Sequence, residues 1–389
     1  MKKHFLAAMF FAMLTVFLWG CGKESAESEV PSAGEGDETA SSGSQTGEGS
    51  RELPEGYVLS ARFEDAGGEA GMHNACMAGS SIYYFTNVYD SEEESHVRDI
   101  HVQEKGQEAR QLLHFGKGKK LLAMTAGEDG SLYFLWGENE TENGFEACTL
   151  AKRGSQLEEI YSVDATEGME GLGAVYDMAA ASDGKLYGLT LRGIVLCWDE
   201  NGAFQGRFGL PVDGTTANGQ ERICFGLANG GEAGIYAFWG GKEGVENNIH
   251  LYELNRLQKM SEAELEQAEP LRVNYASAEE TVAAAGDMHI YSGYSDGLYM
   301  ADQNRMWQID MADGSLEALF QWENINIKAG YLQAVRRQED GGFLLYIFDN
   351  LEQENYWVAL EPVPASQIPG KKELVLGVAG TSWYNDSKD

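Results

Sequence analysis

Residues 175–210 read VYDMAAASDGKLYGLTLRGIVLCWDENGAFQGRFGL, and four strands can be marked on them in succession. Val175 to Ala181 is a largely apolar run, turned by Ser182-Asp183-Gly184. Leu186 to Leu191 returns, Arg192-Gly193 turns again, and Ile194 to Trp198 is a third run. Asp199-Glu200-Asn201-Gly202 then leads into Phe204 to Leu210. Short apolar runs separated by Gly-containing turns are the mark of consecutive hairpins. The stretch therefore encodes one small antiparallel sheet.

The middle of that pattern recurs along the chain. A Gly turn leads into an aliphatic residue followed by Tyr at Gly79-Ser80-Ser81-Ile82-Tyr83, Asp129-Gly130-Ser131-Leu132-Tyr133, Asp183-Gly184-Lys185-Leu186-Tyr187, Gly234-Ile235-Tyr236 and Asp296-Gly297-Leu298-Tyr299. A sixth copy, Asp340-Gly341-Gly342-Phe343-Leu344, lacks the Tyr. The intervals are long enough for four strands and their turns, which is the size of a repeat unit. Units at about 120–163 and 221–274 divide in the same way. The latter also carries a short helix, with Ser261 and Glu264 set as a capping box.

These units predict an all-β fold, a β-propeller over 56–364 in which six four-stranded blades fit best. Seven blades or an open two-sheet fold remain as alternatives, because the fourth and fifth intervals are uneven. The sixth unit offers only three strands, Tyr331–Arg337, Phe343–Phe348 and Tyr356–Leu360. A spare strand stands at the other end, Tyr57–Phe63, where Leu59, Ala61 and Phe63 alternate with Ser60 and Arg62. Donated to the last blade, it would close the ring and remove an open edge. The repeated Tyr, together with Trp136, Trp198, Trp239, Trp307 and Trp322, is expected to fill the space between blades; stacking on sugar rings is the other use of such Trp.

Composition agrees. The 389 residues include 48 Gly but 7 Pro, with 18 Tyr, 16 Phe and 8 Trp, as many short strands require. The formal charge is −34. A surface of that sign repels phosphate backbones, so nucleic acid is excluded as a partner.

The N-terminus reads as an address. Lys2-Lys3 precede a largely apolar run from Phe5 to Trp19 that is shorter than the about 20 residues of a membrane span. It ends Leu18-Trp19-Gly20-Cys21, which resembles the lipobox of bacterial lipoproteins; Trp19 departs from the small residue usual there. The resemblance implies a signal peptide over 1–20 and a lipidated Cys21 as the new N-terminus. The protein would then be exported and anchored to the outer face of the cytoplasmic membrane. From Gly22 to about Gly56 the chain is mostly Gly, Ser, Glu, Thr and Pro. Such a segment cannot bury enough surface to order itself, so 21–55 reads as a disordered tether.

At the other end, Leu319-Phe320-Gln321-Trp322-Glu323-Asn324 and Pro362-Val363-Pro364 through Glu373–Val378 resemble propeller-fused extracellular solute-binding proteins of ABC importers. In that family a Pro-containing linker leads into the first strand of the binding domain, here Glu373 to Val378, with Ala379-Gly380-Thr381 as its exit. The resemblance implies an accessory propeller in solute uptake, carbohydrate uptake included, with an ABC permease as partner. Residues 365–389 would be the linker and first strand of a binding domain cut short. The competing reading is a stand-alone surface propeller that binds a protein or a glycan.

The sequence has no HExxH, P-loop, GxGxxG after a strand, or EF-hand loop, and no GxSxG elbow: its GxSxG string, Gly293-Tyr294-Ser295-Asp296-Gly297, leads into the Leu298-Tyr299 strand of a repeat unit and not into a helix. His73, His96, His101, His114, His250 and His289 are scattered over several units. Asp and Glu are too numerous for any pair to mark a glycosidase or lyase. His73 lies three residues before Cys76, but a single such pair is a weak zinc signal. Cys76, Cys148, Cys197 and Cys224 read as small buried hydrophobes whose pairing the sequence leaves open. The expectation is therefore a non-enzyme without cofactor or metal.

Overall fold

Gly-containing turns join the first two strands of each blade. In the turn before Leu186 the Asp183 carboxylate accepts the Lys185 N–H at 3.1 Å, and Gly184 takes φ 85°, a conformation open to glycine and strained for other residues. Asp129 does the same for Ser131 at 2.9 Å. From such turns the chain builds six four-stranded antiparallel sheets, seen in a computed structural model that describes residues 57–362, save 65–74, 212–225, 241–247, 275–288 and some short connecting positions.

Blade 1 contains β2 (Ala75–Ala78), β3 (Ser81–Asp90), β4 (Ser95–Glu104) and β5 (Arg110–Phe115). Blade 2 contains β6 (Lys119–Ala126), β7 (Leu132–Thr141), β8 (Gly144–Arg153) and β9 (Glu159–Asp164). Blade 3 is the stretch quoted first: β10 (Val175–Ala180), β11 (Leu186–Thr190), β12 (Ile194–Trp198) and β13 (Phe204–Gly209). Blade 4 follows with β14 (Gly226–Asn229), β15 (Ile235–Gly240), β16 (Asn248–Glu253) and β17 (Leu271–Asn274). Blade 5 is β18 (His289–Ser292), β19 (Leu298–Ala301), β20 (Arg305–Ile309) and β21 (Leu316–Gln321). Between β16 and β17 the expected helix is present, with the Ser261–Glu264 capping box formed.

Blade 6 takes β22 (Gly330–Arg337), β23 (Phe343–Asp349) and β24 (Glu354–Pro362) from one end of the chain and β1 (Tyr57–Glu64) from the other, in the order β1-β24-β23-β22. The ladder runs from Tyr57 opposite Pro362 to Glu64 opposite Tyr356. A register shift between Leu59 and Ala61 interrupts the strict alternation read from that strand. The first strands β2, β6, β10, β14, β18 and β22 each pack against the next, and β22 returns to β2. The ring is a closed six-bladed β-propeller.

Six apolar clusters fill the six seams. The repeated Tyr explains them: Tyr83, Tyr133, Tyr187, Tyr236 and Tyr299 each lie in the cluster shared with the following blade. Leu344, which replaces the Tyr in the sixth unit, lies in the cluster between blades 6 and 1. All six are buried. Trp198, Trp307 and Trp322 are buried in the same way, so these Trp are core and not sugar platforms. Polar bonds pin the seams. The Tyr187 hydroxyl donates to Asn255 Oδ1 at 2.6 Å, and Trp357 Nε1 donates to Gln103 Oε1 at 3.1 Å.

Antiparallel order also sorts the connections. Turns from first to second strand lie at one end of the ring, the turn end. Links from each fourth strand to the next blade lie at the other, the loop end. The start of β1 and the end of β24 face each other at the turn end.

Candidate functional site: the axial channel

The inner strands turn one unpaired edge toward the ring axis, and side chains from four blades gather there. At the turn end, Tyr294 follows β18 with φ 56°, an unusual setting for an aromatic residue. It is 8% exposed, and its hydroxyl donates to the Ala126 carbonyl of blade 2 at 3.2 Å. Blades 5 and 2 are opposite each other in a ring of six, so this bond crosses the axis. Arg336, near the end of β22, lies over the Tyr294 ring at 5.2 Å, and its Nη2 donates to the Glu128 carbonyl at 3.2 Å. Its Nη1 is buried with no hydrogen-bond partner among the described residues. Tyr294 and Arg336 thus stand together as a cap at the turn end.

Beneath this cap stand Cys76 and Asp177. Cys76 is two positions, and Asp177 three, from the turn-end terminus of its strand. Both retain partial solvent exposure although strands enclose them, as side chains lining a narrow channel do. Asp177 Oδ1 accepts the Met178 N–H at 2.8 Å, and Oδ2 accepts the Leu227 N–H of blade 4 at 2.6 Å. Burial pushes its carboxyl up to about 7, against the lowering effect of those two bonds. Cys76 is raised too, by burial first and then by Asp177. Gly226 makes the approach possible, because a Cβ there would stand 2.7 Å from Asp177 Oδ2.

Neighbouring strands are stitched in the same zone. Asn229 Nδ2 donates to the Ala180 carbonyl at 2.6 Å, and the Asn229 N–H donates to Ser292 Oγ at 2.8 Å. The Tyr291 hydroxyl donates to the Leu332 carbonyl at 2.5 Å. A carboxyl that titrates near neutrality inside such a channel can exchange a proton or hold a cation.

Of the residues singled out by sequence, Cys76 lies in this zone; the others fall elsewhere or outside the described residues. Leu18, Trp19, Gly20 and Cys21, the tether, His73, Cys224 and the tail from Val363 lie outside the described residues. Cys76, Cys148 and Cys197 are free thiols. Burial pushes Cys148 up to about 11 and Cys197 up to about 12, so neither is a nucleophile at neutral pH. The histidines remain dispersed: His101 stacks on Tyr84, and His114 Nδ1 lies 2.7 Å from Asp99. Among the described residues no three His, Cys, Asp or Glu side chains are grouped for a metal ion. Sequence reasoning passed over Asp177, Tyr294 and Arg336. Asp177 carried a signal, being the single charge inside the Val175–Ala181 run; Arg336 carried none.

No family model matches the chain, and no curated protein matches it. Solved structures similar to it include a protein of unknown function from Bacteroides caccae, with TM-score 0.43 and 10% identity over 73% of this chain and 98% of that one. The structure of U3-55K gives 0.43 and 13% over 80% and 100%. The WD40 repeats of RRP9 give 0.44 and 12% over 81% and 100%.

Proposed function

We propose that this chain is an exported, lipid-anchored binding propeller that serves as a non-catalytic accessory module of an ABC-importer solute-binding component. One observation carries the reading. Tyr57, where the tether meets the ring, is the register partner of Pro362, where the chain leaves it. The tether to Cys21 and the segment with the binding-domain-like strand Glu373–Val378 thus join the ring at one corner. A solute-binding domain attached there would begin beside the anchored corner, within reach of a permease.

Two measurements test this. Labelling with a fatty-acid analogue is expected to mark the wild type and to be lost in Cys21→Ser; equal labelling removes the anchor. A photo-crosslinker at Lys371, used in cells, is expected to capture an ABC permease subunit. Capture of surface proteins or glycans alone would instead support a stand-alone interaction propeller.

A further inference from the structure

Where blades 3 and 4 meet at the turn end, the chain leaves a half-open cavity of about 160 Å³. Three segments line it: the turn from β10 to β11, the turn from β14 to β15, and the start of the short helix Leu254–Leu257. They bring Ser182, Asp183, Glu232, Gly234, Ile235 and Asn255 together, and every lining residue is a described one. Asp183 accepts the Lys185 ammonium at 2.6 Å, so this part of the rim is an ion pair with no net charge. The Tyr187 hydroxyl donates to Asn255 Oδ1 at 2.6 Å, which commits the amide oxygen and leaves the amide nitrogen as donor. That nitrogen stands beside the bare Gly234, since a Cβ there would lie 3.5 Å from it. Glu232 is exposed and has no ion-pair partner among the described residues. Ile235, 1% exposed, adds an apolar surface.

Donors and acceptors therefore share one small space. A cation entering it gains Glu232 but meets the Lys185 ammonium. An anion gains Lys185 but meets Glu232. A neutral group with neighbouring hydroxyls escapes both penalties: one hydroxyl donates to Glu232, another accepts from Asn255 Nδ2, and C–H groups lie on Ile235. Polar groups that a ligand dehydrates must be matched, or their desolvation is lost energy, and a polyol matches both kinds. The cavity is smaller than the about 300–1,000 Å³ of sites for drug-sized ligands, which limits the occupant to one ring. We propose that this cavity between blades 3 and 4 binds a single hexopyranose ring. The site extends the uptake reading without requiring it. It belongs to the ring of blades, so its failure would leave the Cys21 label and the Lys371 crosslink standing, and the converse holds.

The test titrates methyl α-glucopyranoside, methyl β-galactopyranoside and N-acetylglucosamine into the full chain, read by saturation-transfer NMR, with ethylammonium and acetate as charged controls. No aromatic ring lines the cavity, so hydrogen bonds supply the affinity. A dissociation constant of about 1–10 mM is expected for at least one sugar. Glu232→Ala removes an exposed carboxylate and should weaken that sugar about tenfold with no change in melting temperature. Asn255→Asp keeps an acceptor for the Tyr187 hydroxyl but loses the amide donor, and a similar weakening is expected. Saturation transfer to none of the three sugars, tighter binding of ethylammonium or acetate than of any sugar, or sugar binding that both variants leave unchanged would each overturn the proposal.

Discussion

Blades 3 and 6 share one four-stranded plan but are assembled in opposite ways. Every strand of blade 3 comes from residues 175–209, each pairing with its neighbour in sequence through a short turn. Blade 6 places β1, from the start of the ring, against β24, from its end. The first needs only local contacts. The second joins the two ends of the ring, so it closes the longest loop in the fold and carries the largest closure entropy. Two four-stranded sheets thus do unequal work: blade 3 makes itself, and blade 6 makes the ring.

The largest expected effect tests that difference directly. Deleting residues through Glu64 removes β1, exposes the edge of β24 and opens the circle. The expected outcome is a melting temperature lowered by more than about 10 °C, with concentration-dependent aggregation. Deleting only residues 22–52 should leave the melting temperature unchanged. Matching curves for the two truncations would mean that β1 is an ornament on a ring already closed without it.

The same contrast explains what could be read from the sequence. Blade 3 was legible because turn chemistry and apolar runs are local signals: Asp183-Gly184 and Leu186-Tyr187 announce both a turn and its strand. Even the closure could be anticipated, since the sixth unit had three strands and Tyr57–Phe63 was left over. The bulge between Leu59 and Ala61 could not, because register is set by the partner strand and not by β1 itself. The axial channel was nearly invisible for a related reason. Asp177, Tyr294, Cys76 and Arg336 belong to blades 3, 5, 1 and 6, and no spacing along the chain records that they converge.

Substitutions at opposite seams sharpen the comparison at intermediate cost. Tyr187→Ala empties the position between blades 3 and 4 and is expected to cost about 3–5 kcal/mol. Leu344→Ala, its counterpart between blades 6 and 1, is expected to cost about 2–4 kcal/mol. The two seams lie across the ring from each other, so in a ring that unfolds as one unit their costs should add. A double variant well short of the sum in denaturant melts would show that the closing blade opens separately. Tyr187→Phe, which removes only the hydroxyl bonded to Asn255, should cost about 1 kcal/mol.

The smallest effect separates the two seams by pH. Between blades 6 and 1 the buried pin is Trp357 on Gln103, and neither group titrates. Between blades 3 and 4 it is Asp177 on the Leu227 N–H, and burial raises that carboxyl from 3.8 to about 7. The folded chain therefore holds a proton on Asp177 over a range in which the unfolded chain has lost it. Its contribution is complete below about pH 4 and disappears as pH rises through 7. Asp129, Asp164 and Asp183 act in the opposite direction. Hydrogen bonds lower Asp164, and at Asp129 and Asp183 hydrogen bonds and nearby lysines outweigh burial; their contributions are lost in acid. The whole-chain curve therefore mixes both signs, and the informative quantity is the difference between the wild type and Asp177→Asn. Relative to that variant, the wild type should lose roughly 1–3 kcal/mol between pH 4 and pH 8, measured as denaturant midpoints at fixed ionic strength. A difference that stays flat would mean that Asp177 remains ionised in the folded ring, stabilised by its two N–H donors alone. Asp177 would then carry its negative charge across that whole pH range, and blades 3 and 4 would be pinned as indifferently as blades 6 and 1.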